Sequence, residues 1–178
     1  MTAYLKALFT RKTAMYLAGF FLLLLIYTLI RHTVDYLNFW KIAREVVYGN
    51  IDLYKKYVAF SYPPFFYNII IFFAIFPVKL SLALWYCFSV TILTFSVAMI
   101  LKLIYPESTF FRFDSKNWTK MFLPFILALP IIADNLYLGH ANIFNFFLCV
   151  SAVYLLENKS PVASGVFISA AAAIKLTP

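Results

Sequence analysis

The sequence predicts an all-α, polytopic helical membrane protein, and three observations carry that prediction. Of 178 residues, 64% are hydrophobic and 21% aromatic, while only 12% are charged, about half the share usual in a soluble domain. The apolar residues fall into long runs rather than alternating, so they describe buried or lipid-facing helices instead of half-solvated strands. Between the runs stand short clusters of Lys and Arg, the pattern that orients membrane helices. The net charge of +8 gathers on no basic face with interleaved aromatics, so nucleic-acid binding is excluded. Positive-inside topology and anionic membrane lipids account for it more simply. Cys87 and Cys149 stand apart inside apolar runs with no C-x-x-C pair, and read as small packing residues.

Each element follows in order. The run from Ala14 to Ile30 follows Arg11-Lys12 and leads into Arg31-His32 instead of a small-residue cleavage site, so it reads as a transmembrane helix rather than a signal peptide. Lys6, Arg11 and Lys12 hold the N-terminus in the cytoplasm. Residues 31–60 then form an extracytoplasmic loop. In it Tyr36, Phe39, Trp40, Ala43 and Val47 recur at helical spacing while Asn38, Lys41 and Glu45 take another face. This is an amphipathic helix lying at the interface, stopped at Gly49-Asn50, with Trp40 at headgroup depth. Residues 61–78 hold "YPPFFYNIIIFFAIFPVK", an apolar piece fenced by Pro64 and Pro77. The twelve residues between those prolines reach about 18 Å as a helix, against a hydrocarbon core of about 30 Å.

Leu82 to Ile104 is long enough to span. Met121 to Leu138 is expected to be kinked or broken at Pro124 and Pro130. Ile143 to Leu156 and Pro161 to Ile174 complete the set, with "DNLYLGHAN" (Asp134 to Asn142) and Glu157 to Ser160 as turns. If the proline-fenced piece is re-entrant, Lys102, Arg112, Lys116, Lys120 and Lys159 all fall on the cytoplasmic side. If it crosses, the loop carrying Arg112 to Lys120 lies outside. The first count obeys the positive-inside rule better and is preferred. It also sets "GHAN" and Lys175 on the outer side with the first loop.

Few residues offer chemistry. Asp35 stands where the first helix emerges and the amphipathic helix begins. A carboxylate there is favoured by the helix N-terminus and stays ionised, as a proton acceptor must; an ordinary helix cap is the competing role. Asp134, Asn135, His140 and Asn142 cluster at the mouth of the proline-containing helix, where polar groups line a wet cavity or form an interfacial turn. Lys175 closes the last apolar run and reads either as a snorkelling anchor or as a phosphate contact. His32 and Asp35 alone make a poor metal pair, and neither a metal site nor a cofactor is expected.

Three blocks, in order, carry a resemblance. "VDYLNFWKIAREVVYGNIDLYKKYVAFSYPPF" (Val34 to Phe65) is similar to a D-x-x-x-x-x-x-A…G-x-x-x-Y…Y-P-P pattern. "LGHANIFNFFL" (Leu138 to Leu148) is similar to a G-Q-x-N block, with His140 in place of Gln. "ASGVFISAAAAIKLTP" (Ala163 to Pro178) is similar to A-G-x-x-x-x-x-A-A-A-x-K-x-x-P. Together they resemble glycosyltransferase family 87, the polyprenyl-phosphate-sugar-dependent membrane enzymes of the GT-C fold. The resemblance implies the N-terminal part of such a fold in the cell membrane, with its active site on the extracytoplasmic side. It implies transfer of a hexose, mannose being one candidate, from a polyprenyl-phosphate donor to a glycan or glycolipid acceptor. The family's catalytic base maps to Asp35. His140 and Lys175 are candidates for the donor phosphate, with Arg31 and Arg44 in reserve and Asn142 beside them; Tyr62 and Trp40 are candidates to line the sugar or carrier groove. The resemblance implies proteins about twice this length, with several more helices after the K-x-x-P block, so the chain is expected to be an N-terminal fragment, inactive alone. The rival readings are a transporter or flippase using Asp134, His140 and Lys175 as a polar path, and a non-catalytic membrane scaffold.

Overall fold

The computed structural model describes residues 3–31, 34–49, 63–104 and 118–174, and among them every regular element is helical. We number the helices α1 (Ala3–Arg31), α2 (Val34–Gly49), α3 (Pro64–Ala74), α4 (Val78–Ile104), α5 (Trp118–Leu138), α6 (Asn142–Glu157) and α7 (Pro161–Ile174). The first helix starts well before Ala14. Residues 3–12 hold neither Gly nor Pro and several strong helix formers, so the basic flank continues the helix instead of preceding it. Helix α5 runs through both Pro124 and Pro130, so of the two alternatives expected there, a kink or a break, the break does not occur.

Proline shapes the short α3. Pro63 is its extended N-cap (ψ 157°) and Pro64 occupies the first turn, where the missing N–H costs nothing. The helix ends at Ala74, and the amide of Phe76 closes a last turn on the Phe73 carbonyl (3.2 Å). Pro77 then disfavours helical backbone before it, while its own carbonyl accepts the first bond of α4 from the Ser81 amide (2.9 Å). At 11 residues α3 rises about 16 Å. It packs along α2, burying Phe66, Tyr67, Ile70 and Ala74 against Phe39 and Ala43. The indole of Trp40 donates to the Phe76 carbonyl (3.1 Å), so its N–H is held by the end of α3. Val47, expected on the apolar stripe of α2, is exposed instead.

Side-chain contacts fix the directions of the long helices. Tyr86 of α4 donates to the Phe21 carbonyl of α1 (2.7 Å), while Tyr36, just past the end of α1, bonds Ser81 at the start of α4. Helices α1 and α4 therefore run antiparallel. Tyr27 of α1 meets Tyr137 near the end of α5 (5.3 Å between centroids). Ser164 Oγ of α7 donates to the Ala152 carbonyl of α6 (2.7 Å), and Phe147 meets Phe167 (6.5 Å). That antiparallel register brings the end of α7 back toward the start of α6, and Ile174 is buried in one cluster with Ala141 and Tyr36.

The described helices bury an apolar core that also holds small hydroxyl residues, and they leave many large apolar side chains exposed. Thr28, Ser81, Ser96, Ser151 and Ser164 are buried, while Leu23 (69% exposed), Phe72 (70%) and Val162 (82%) point outward. Two of these hydroxyls bond one turn back, Thr28 to the Leu24 carbonyl (2.7 Å) and Ser96 to that of Ile92 (2.8 Å), while Ser81 and Ser164 bond neighbouring helices. Small polar residues between helices with large apolar ones outside is the arrangement expected in an apolar solvent. By length and composition α4 is long and apolar enough to cross a bilayer. Ala18–Ile30 and Asp35–Gly49 would count as one more only if that pair, bent by 63°, formed a single span.

Ala43 is fully buried in the cluster between α2 and α3. Ala43→Leu should overpack that contact and destabilise the protein by about 1–3 kcal/mol, read as a lower unfolding temperature in detergent, whereas Tyr48→Leu on the exposed face should leave it unchanged.

Candidate functional site

The site is assembled where α2 begins and α5 ends. Helix α5 terminates because Gly139 adopts a left-handed conformation (φ 72°). The amides of Gly139 and His140 both return to the Asn135 carbonyl (3.0 and 3.1 Å), closing the helix as glycine C-caps do. Gly139 also serves a second purpose. A Cβ built there would lie 2.7 Å from Cβ of Tyr36, so only a residue without a side chain lets the turn press onto the first turn of α2.

Tyr36 is itself immobilised. Its ring stacks on Trp85 of α4 (centroids 5.9 Å), and its hydroxyl bonds Ser81 Oγ at 2.6 Å and donates to the Ser81 carbonyl at 3.2 Å. Burial pushes its phenol well above the ordinary tyrosine range, against the opposing pull of the Ser81 bond, so it remains a neutral donor. Trp85 Nε1–H donates to the Gly139 carbonyl (3.1 Å). One buried indole thus touches both the residue after Asp35 and the residue before His140.

The outcome is a carboxylate–imidazole pair. His140 Nε2 lies 2.6 Å from Asp35 Oδ2, with the histidine side chain 24% and the aspartate 38% exposed. Asp35 sits within the first turn of α2, where the helix dipole favours its negative charge, but its side chain turns to His140 across 105 residues of sequence. The pairing leaves Asp35 Oδ1 and His140 Nδ1 for other partners. With Nε2–H donating to the carboxylate, the neutral ring presents Nδ1 as an acceptor; a protonated ring presents it as a donor.

The other candidates divide. Asn142 Nδ2 donates to Asn135 Oδ1 (2.7 Å), and Asn135 in turn donates to the Ile131 carbonyl (2.8 Å), so Asn142 braces the turn beside His140. Trp40 and Arg44 are not brought to the pair. The Arg44 guanidinium lies over the rings of Trp40 (4.8 Å) and Tyr48 (5.5 Å). Along α2, nine residues separate Arg44 from Asp35, about 13 Å of axis and half a revolution. That face, with Lys41 and Glu45, forms a separate shallow concavity of about 320 Å³. Tyr62 and Lys175 lie outside the described residues. Ser81 and Trp85 enter the site without any warning from spacing; the available signal was a tryptophan inside an apolar run, whose indole N–H must find a partner when buried. Among the described residues no three His, Cys, Asp or Glu side chains converge as a metal site would require.

At Gly139 the left-handed backbone alone costs a non-glycine residue about 1–2 kcal/mol, and the built Cβ also collides with Tyr36. Gly139→Ala should therefore lower the unfolding temperature and separate Asp35 from His140. Retained stability with retained activity would contradict this geometry.

Against known proteins, no curated protein and no solved structure matches the chain. The family model of Glycosyltransferase family 87 matches residues 60–178. That match takes in Gly139, His140, Asn142 and the last three helices, begins after Asp35, and covers two thirds of the sequence, so the chain belongs to glycosyltransferase family 87.

Proposed function

We propose that the protein is a multi-pass membrane hexosyltransferase of the GT-C type that takes its sugar from a polyprenyl-phosphate donor on the extracytoplasmic side. Family membership makes it a glycosyltransferase, and the apolar exterior with α4 points to membrane association. The observation that carries the finer reading is the 2.6 Å contact between Asp35 and His140, two residues that the sequence marked for different roles.

In the proposed reaction a hydroxyl oxygen of the acceptor attacks the anomeric carbon of the donor sugar. The new C–O bond forms as the bond to the phosphate oxygen breaks, and the polyprenyl phosphate departs with that electron pair. Asp35 Oδ1 takes the hydroxyl proton, a step typically worth about 10²–10⁴ in rate. His140 holds the opposite carboxylate oxygen through Nε2, which differs from a role solely on the donor phosphate. Its Nδ1, a donor when the ring is protonated, is the atom left to face the leaving group. The phosphate leaves as a stable anion, so it needs hydrogen-bond donors and positive charge more than a strong acid. Lys175, which follows Ile174 of α7 in the sequence, is the proposed cation.

The same contact supports the count in which α3 does not cross the bilayer. Were α3 a span, the exits of α1 and α5 would fall on opposite faces, about 30 Å apart, and Asp35 would not meet His140. A glycan or glycolipid acceptor and a lipid-linked donor are then reached from one side.

Asp35→Asn in the full-length protein should lower sugar transfer by about 10²–10⁴ while the protein still accumulates in the membrane. His140→Gln, which keeps an N–H donor, should retain more activity than His140→Leu. Retained transfer by Asp35→Asn would remove the base. For topology, Asn142→Cys should react with a membrane-impermeant thiol reagent from outside the cell and Ser115→Cys should not; the reverse would overturn the orientation.

A further inference from the structure

We propose that Trp85 is a positioning residue for sugar transfer, setting the distance between Asp35 and His140 without touching substrate. The inference rests on the reading of that pair as the reactive site. Trp85 is 1% exposed, and its ring is enclosed by other aromatics. Tyr36 stacks on it at 5.9 Å, Phe66 and Phe73 present edges at 6.2 and 5.3 Å, and Phe88 lies at 5.7 Å. These rings come from α2, α3 and α4, so the indole cannot tilt without disturbing three helices.

Its one polar atom, Nε1, donates to the Gly139 carbonyl at 3.1 Å. That carbonyl belongs to the C-terminal end of α5, where backbone acceptors lack helical partners. The bond therefore satisfies two buried groups at once, and losing either partner leaves the other unmet. The consequence is geometric. Asp35 is covalently next to Tyr36, and His140 is covalently next to Gly139. Trp85 grips Tyr36 by its face and Gly139 by its edge, so a rigid planar ring acts as the spacer between the two strands of chain that carry the pair. Trp85 makes both contacts, the bond to the Gly139 carbonyl and the stack on Tyr36. The Tyr36–Ser81 bond fixes the far end of the tyrosine ring on the same helix, one turn before Trp85, so α4 acts as the common reference for both partners.

The substitution that isolates the claim is Trp85→Phe, which keeps an aromatic ring against Tyr36 and removes the N–H. In the full-length protein it should lower kcat about ten- to a hundredfold, the scale of a misplaced reacting group. KM for the lipid-linked donor should stay within about twofold, because ground-state binding is not what is lost. A readout independent of activity uses Asp35→Cys and His140→Cys in a chain also carrying Cys87→Ser and Cys149→Ser. Under mild oxidant that pair should form a disulfide several-fold more slowly once Trp85→Phe is added. An unchanged cross-linking rate, an unchanged kcat, or a fall in kcat accompanied by a raised KM and lost thermal stability overturns the proposal. Retained transfer by Asp35→Asn instead overturns the functional reading beneath it, and the cross-linking comparison still decides the geometric claim.

Discussion

The contact on which the rest depends is the approach of Gly139 to Tyr36. A β-carbon would sit 2.7 Å from that of the tyrosine, so the end of α5 docks on the start of α2 only because Gly139 has none. The same glycine supplies the left-handed turn that ends α5 and presents its carbonyl to Trp85. One residue without a side chain thereby satisfies a conformational, a steric and a hydrogen-bonding demand. The residues on either side of this contact, Asp35 and His140, are carried into hydrogen-bonding range as a consequence.

This polar junction sits beside an aromatic core, and many large apolar side chains of the described helices are nonetheless exposed. Serine and threonine hydroxyls inside the bundle bond carbonyls one turn back or on a neighbouring helix. In water that arrangement would expose far more apolar surface than a stable monomer tolerates. In lipid it costs little, because the surroundings are as apolar as the side chains. This exterior is consistent with the proposed lipid-linked donor, whose chain would remain in the bilayer while its sugar reaches the polar end.

Much of the helical layout was legible in the residues themselves. The bounds of α7, the proline-delimited α3 and the stop at Gly49 follow from helix formers, prolines and glycines that act locally. Asp35 and His140 were legible as candidates because charged and titratable groups are scarce in so apolar a chain. Their union was not, since it spans 105 residues and depends on the packing of α2, α4 and α5. Trp85 and Ser81 were hidden for the same reason: within an apolar run nothing local separates a lipid-facing tryptophan from one that organises a site. Trp40 and Arg44, named from sequence for the carrier groove and as a reserve cation, stack on each other on another face of α2, apart from the Asp35–His140 pair. The two prolines of α5 announced a kink or a break, and the helix continues through both.

Chemically, the pair joins two functions that the sequence had divided between separate groups. A carboxylate held by an imidazole at one oxygen is oriented, and in the proposed reaction its second oxygen takes the proton. The imidazole's far nitrogen is left to meet whatever departs. If the two side chains act as one unit, their contributions to catalysis cannot be independent. The most direct measurement is a double-mutant cycle on kcat for sugar transfer, built from Asp35→Asn, His140→Leu and the combination. The account predicts that the double variant loses about as much activity as Asp35→Asn alone; losses that multiply would show two residues working separately and contradict it.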